Sequence, residues 1–370
     1  MWSIFSTIIL YNFLLLICIT LGSLYNKTKE RSWIFIMYFI VALISFIRYD
    51  IGNDYYNYAS GVIRYGKLQE QGFGLIELML FFGKEPLYIL LSRLFSFSDY
   101  SYIWVLGIYS VTTIVLLYKV FERYRIQQWG LSVVILFLFL FDIWDWLAQG
   151  LALAILIFSI KYVETNNFKK FLLSILIAAS VHFSALIFIV VYPLKHLRFR
   201  KWFLIVPVVL LFMQMTGALA GLIKYLTSIT PFYSTLYSNS IYAEDSGLFS
   251  IGYIFRSGFL FFVLYFAKNN FNLLRNIILI GLCFFIIGGT NLSFNRISLY
   301  FTFGSVILIS NILQERPKTI KTLLGYAFII LQYIVFNINI SSFGDARGAV
   351  PYQTIFSKEC KHMIFRDKLY

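Results

Sequence analysis

Stretches of Ile, Leu, Phe, Val and Tyr with almost no charge recur along this chain, and short groups of Lys and Arg separate them. About 20 apolar residues in a helix cross the hydrocarbon core of a bilayer, because each residue advances the helix about 1.5 Å. The spacing predicts spans near 3–21, 33–47, 100–118, 130–141, 146–160, 202–222, 251–267, 276–289, 297–313 and 322–338, of which 130–141 and 276–289 are short. The chain is 60% hydrophobic and 13% charged over 370 residues, more apolar surface than a soluble domain can bury. The expected fold class is an all-α polytopic integral membrane protein.

The net charge of +14 does not point to nucleic acid. Its cations form six clusters between apolar runs: Lys27/Lys29/Arg31, Lys119/Arg123/Arg125, Lys161/Lys169/Lys170, Lys195/Arg198/Arg200/Lys201, Lys268/Arg275 and Arg316/Lys318/Lys321. This is the pattern of cytoplasmic loops in a multi-pass protein. Placing all six in the cytoplasm puts both termini outside. One conflict results, because the third and fourth clusters are separated only by "FLLSILIAASVHFSALIFIVVY", residues 171–192. One helix there would force a basic cluster outside. Two arms of about 11 residues, each roughly 16 Å long and turning near His182, would keep both inside. A re-entrant hairpin of this kind survives when it is packed among other helices. The reading favoured is about 10 spans plus this hairpin, about 12 membrane helices in one membrane-embedded domain. The alternative is a single span with a weak basic loop outside.

Under this topology the polar residues at membrane edges gather on the outer side. A first outer loop, 48–99, holds Arg48, Asp50, Asp54, Tyr55, Tyr58 and Glu85, and its segments "FGLIELMLFF" and "GKEPLYILLSRLF" read as interfacial helices. Asp142 and Asp145 follow at a tight turn, with Gln149 just inside the next span. His182 tops the hairpin. A second outer loop, 223–250, holds Glu244 and Asp245, and Arg256 lies one turn into the next span. Arg296 ends "NLSFNR", and an outer tail, 339–370, holds Asp345, Arg347 and "VPYQTIF".

These residue types suit a phosphorylated or hydroxyl-rich ligand. Arginine offers a planar fork of donors to phosphate oxygens. Aspartate orients or deprotonates a hydroxyl, and histidine exchanges a proton near neutral pH. Each also has a bland reading. Glu85 before Pro86 suits a helix start, Gln149 suits contact between helices, and an arginine at a membrane edge can reach headgroups. His196 and His362 lie among charges in exposed segments and read as solvated. Cys18, Cys283 and Cys360 show no metal or redox spacing. No P-loop, dinucleotide fingerprint or HExxH occurs, so no metal or cofactor is expected. No cleavable signal is evident at the start.

In order along the chain, "RYDIGNDYYNY", "KEPLYILL", "QGLALAI", "VHFSALI", "NRISLYF" and a tail "VPY" resemble the EpsG family over roughly 45–355. These are Wzy-like membrane proteins of bacterial exopolysaccharide, capsule or O-antigen assembly. The resemblance implies a helical bundle similar to other lipid-linked sugar transferases. It implies a polymerase acting on undecaprenyl-pyrophosphate-linked repeat units at the outer face of the cytoplasmic membrane. It implies the bilayer, the lipid-linked glycan and a chain-length regulator as partners. The family pattern has Arg directly before the Gln of the fifth segment, where this chain has Ala148. Under the implied glycosyl transfer, Arg48, Arg256 and Arg296 would hold the pyrophosphate. His182 or Asp54 would be the base, and Glu85, Gln149, Tyr55, Tyr58 and Tyr352 would contact sugars. A flippase or exporter of lipid-linked glycan, a glycan ligase and an acyltransferase are the rival readings.

Overall fold

The computed structural model describes residues 4–52, 54–82, 85–98, 100–126, 143–219, 221, 251–289, 292–315, 319–342 and 352–356. The expected span 130–141, all of the loop 223–250 with Glu244 and Asp245, and Asp142, Asp345, Arg347, Arg316, Lys318, His362 and Cys360 lie outside the described residues.

Helices form where the apolar runs are, and several continue into the basic cluster that follows. α1 is Ile4–Thr28, α2 Arg31–Ile47 and α6 Ser101–Arg123; α7 is Leu147–Glu164. Lys27, Arg123 and Lys161 occupy last turns, where the helix dipole favours a cation. The segment 48–99, expected as the first outer loop, holds three helices among its described residues, α3 Tyr55–Glu70, α4 Leu75–Phe82 and α5 Pro86–Leu94. α3 was not apparent from the apolar pattern. Its mean composition is polar, but Tyr55, Ala59, Val62 and Gly66 recur at helical spacing and are buried.

α8 is Phe168–Val181, and a 3-10 helix, Phe183–Val191, follows it after His182. The rings of Phe168 and Tyr192 meet at 4.8 Å. A straight helix of that length would hold them about 36 Å apart, so the chain doubles back, with His182 between the two arms. The His182 amide donates to the Ala178 carbonyl (2.8 Å), and the His182 carbonyl accepts from the Ala185 amide (3.0 Å).

The later helices are α9 Ile205–Met215, α10 Ile251–Phe266, α11 Asn272–Ile287, α12 Leu292–Thr302, α13 Ser305–Leu313 and α14 Ile320–Ser342. The run expected as one span over 297–313 is instead two helices bent by 43°. Among the described residues, five helices are long and apolar enough to cross a membrane, or six if the bent pair is one span. α2, α9 and α10 are apolar but shorter. Large apolar side chains remain exposed in stripes, as at Phe5, Ile9, Phe13 and Leu16 of α1 and at Leu323, Ile330, Leu331, Ile334 and Ile338 of α14. Such stripes are what lipid tails cover. The molecule is an all-α, multi-pass membrane protein.

The chain divides into two compact units. The first comprises Met1–Tyr162, Lys169–Leu186 and Tyr326–Tyr370; the second comprises Val163–Phe168 and Ile187–Gly325. In the first unit α2 packs on α1 and α6, and α3 packs on α5 and α6. Tyr11 is at its centre, its ring against those of Trp144, Phe336 and Tyr352. A two-residue strand after α2, β1 (Arg48–Tyr49), pairs antiparallel with β2 (Gln353–Thr354), stapling the tail to the end of α2. In the second unit α11 is the hub, packed on α12, α9 and α10.

Candidate active site

The loop that follows α2 is shaped by two residues in left-handed backbone. Asp50 has φ 52° and Gly52 has φ 101°. A Cβ on Gly52 would lie 3.1 Å from the Trp144 carbonyl oxygen and 3.2 Å from the Asp145 Cα, so only glycine lets the loop close on the turn before α7. Arg48 locks that closure. Its Nη1 donates to the carbonyls of Ile51 and Trp144, both at 3.1 Å. Its guanidinium lies 5.3 Å from the Trp144 ring and 6.0 Å from the Tyr55 ring. At 3% exposure, burial lowers the Arg48 pKa to about 10, while Tyr55, Tyr352, Tyr11 and Asp145 oppose the shift. Asp54 starts α3, its amide donating to Asp145 Oδ1 (3.3 Å) and its carboxylate accepting from Asn57 (3.4 Å).

Glu85 precedes Pro86, and it has the extended backbone that a following proline enforces. Its carboxylate makes no cap to α5. Instead, Oε1 lies 2.8 Å from His182 Nδ1. The imidazole is 31% exposed and the carboxylate 15%. An ionised carboxylate can only accept, so Nδ1 is the donor of this bond, and in the neutral imidazole the lone pair then lies on Nε2. An imidazole held in one tautomer by a carboxylate has the geometry needed to take a proton from a hydroxyl nucleophile.

Tyrosines lie near Glu85. The Tyr88 hydroxyl donates to the Tyr58 carbonyl, and the Tyr88 ring meets those of Tyr58, Tyr65 and Tyr109 edge to face at 6.0, 5.9 and 6.5 Å. Glu85 acts electrostatically on both Tyr65 and Tyr109. Burial raises the Tyr65 pKa, with Arg64 opposing and Glu85 reinforcing. The buried Tyr109 hydroxyl has no hydrogen-bond partner among the described residues.

The structure therefore brings His182 and Glu85 together, and places Tyr58 in the Tyr88 ring cluster, whose Tyr65 and Tyr109 feel the charge of Glu85. It brings Arg48, Asp54 and Tyr55 together around Trp144 and Asp145. Tyr55 and Tyr352, expected to offer ring faces to sugars, are each 3% exposed. The Tyr352 hydroxyl donates to the Ile44 carbonyl and its amide donates to Thr7 Oγ1, both at 2.9 Å. Gln149 is buried in the first turn of α7. Arg256 and Arg296 belong to the second unit and are half-buried. The Arg256 guanidinium lies 4.8 Å over the Phe285 ring, and Phe285 stacks on Tyr253 at 5.1 Å. Sequence reasoning missed Trp144 and Tyr109, whose places arise from packing; Trp144 stands next to Asp145 in the sequence, while Tyr109, within the apolar run of α6, left no signal.

The model of the EpsG family matches residues 31–354, most of the chain. No curated protein and no solved structure matches it.

Proposed function

The chain belongs to the EpsG family, and on that premise we propose that it is a polysaccharide polymerase of the bacterial cytoplasmic membrane. It joins undecaprenyl-pyrophosphate-linked repeat units at the outer face. The observation that carries this reading is the His182–Glu85 pair at 2.8 Å, formed by residues 97 positions apart.

In the proposed reaction His182 Nε2 takes the proton of a sugar hydroxyl on the acceptor unit. The freed oxygen attacks the anomeric carbon of the donor glycan, and the bond from that carbon to the lipid pyrophosphate breaks. The centre passes through an oxocarbenium-like state. Glu85 stabilises the imidazolium as it forms. The departing pyrophosphate gathers negative charge and calls for cations, each such donor being worth about 3 kcal/mol. Arg256 and Arg296 are assigned to it. Arg48, enclosed by aromatic rings and bonded to two carbonyls, is assigned to shaping the loop. Asp54 and Tyr58 orient sugar groups. About ten spans, a re-entrant hairpin carrying His182 to the outer face, and both termini outside complete the arrangement. A chain-length regulator is the expected protein partner.

The test is a deletion strain. Lipid-linked single repeats should accumulate on the outer leaflet, and His182→Ala, at normal protein level, should fail to restore polymer. Accumulation on the inner leaflet would identify a flippase. Polymer of normal length that stays on its lipid would identify a ligase, and normal polymer lacking acyl groups an acyltransferase.

A further inference from the structure

One polar side chain in the second unit is buried without use. Gln214, the last residue but one of α9, is 2% exposed, and neither its Oε1 nor its Nε2 has a hydrogen-bond partner among the described residues. A Cβ on Gly289, just past the end of α11, would lie 2.7 Å from Gln214 Nε2 and 3.3 Å from Cε2 of Tyr253. The amide and the tyrosine ring therefore both border Gly289. One turn along α10 from Tyr253, Ser257 is 7% exposed, and its hydroxyl also has no partner among the described residues. The Tyr253 ring stacks on Phe285 with planes 20° apart, and Arg256 lies over the same Phe285.

A buried glutamine between apolar helices is commonly explained as a bond from helix to helix. Gln214 makes no such bond among the described residues. An unsatisfied buried amide is costly, so the position calls for a ligand group that meets it. Its carbonyl would repel an anion and its NH2 a cation. The two together complement an uncharged group that both donates and accepts. Sugar hydroxyls do this, and so does an acetamido substituent. The half-buried Tyr253 ring, backed by the buried Phe285, adds an apolar wall of the kind sugar rings lie against. We propose that Gln214, Ser257 and the Tyr253 ring form a carbohydrate subsite for an uncharged hydroxyl or acetamido group of the lipid-linked sugar. That the sugar is lipid-linked rests on the polymerase reading above.

The purified full-length chain in detergent is titrated with three probes, and its Tm is followed. The probes are bare undecaprenyl pyrophosphate, the same lipid with one hexose, and the same lipid with one N-acetylhexosamine. Wild type should gain more from a glycosylated lipid than from the bare one, and the larger gain tells hydroxyl from acetamido. Gln214→Leu should lose that extra gain, with apparent affinity down about tenfold, the loss expected when one hydrogen bond goes. Its ligand-free Tm should equal or exceed that of wild type, because removing an unpartnered polar group relieves the fold. Ser257→Ala should lose part of the gain. A fall of ligand-free Tm in Gln214→Leu, or failure of that variant to fold, would assign Gln214 to holding helices and overturn the subsite. So would retention of the sugar-specific gain. In that event polymer lost by His182→Ala would still leave the polymerase standing; if none of the three lipids shifts wild type, both readings fall.

Discussion

Replacing Glu85 with Gln keeps the size of the side chain and its capacity to accept a hydrogen bond, but removes its charge. If His182 becomes an imidazolium during transfer, Glu85 then loses its electrostatic part. Opposite charges centred about 4 Å apart are worth about 4 kcal/mol at an effective dielectric of about 20. The imidazole is 31% exposed and the carboxylate 15%, so water screens part of that. Halving the figure leaves about 2 kcal/mol, or about a 30-fold loss of rate. The assay is the initial rate of chain growth in membrane vesicles supplied with lipid-linked repeats, at matched protein level. His182→Ala should cost more, and the double variant His182→Ala/Glu85→Gln should be no slower than His182→Ala alone. A Glu85→Gln rate within about threefold of wild type would refute the reasoning. So would a double variant that loses the product of the two single effects, since the residues would then act independently.

Gly52→Ala should lower the Tm of the purified protein, because φ 101° strains a side chain and the new Cβ meets the backbone of Trp144 and Asp145. The expected cost is about 2 kcal/mol, and an unchanged Tm would show that the loop does not need this closure. Arg48→Met leaves the Ile51 and Trp144 carbonyls without their donor, at a cost of about 3 kcal/mol, read as loss of monodisperse protein on size exclusion. Arg48→Lys should not rescue it, because one ammonium cannot reproduce the planar fork between two rings.

Lipid made part of this molecule legible from its sequence. A chain crossing a bilayer must satisfy its backbone within helices, so apolar runs and basic clusters announce where helices start and stop. The reversal around His182 could be read the same way, because two basic clusters flank a run too long for a turn and wrong in sign for one span. The sequence also marked Glu85, His182, Arg48 and Asp54 as the unusual polar residues at helix edges. It could not say which of them meet. Glu85 read as well for a helix-start residue as for a partner, and only tertiary packing put its carboxylate on His182 rather than on the amides of α5. Arg48 read as a headgroup or phosphate ligand, and packing turned it inward among Tyr55 and Trp144. The bend within 292–313 and the unused amide of Gln214 left no periodic trace either. Local hydrophobicity determines where backbone enters and leaves lipid, since that cost is paid residue by residue. The pairing of two distant side chains depends on how whole helices pack, and that is decided only when the helices come together.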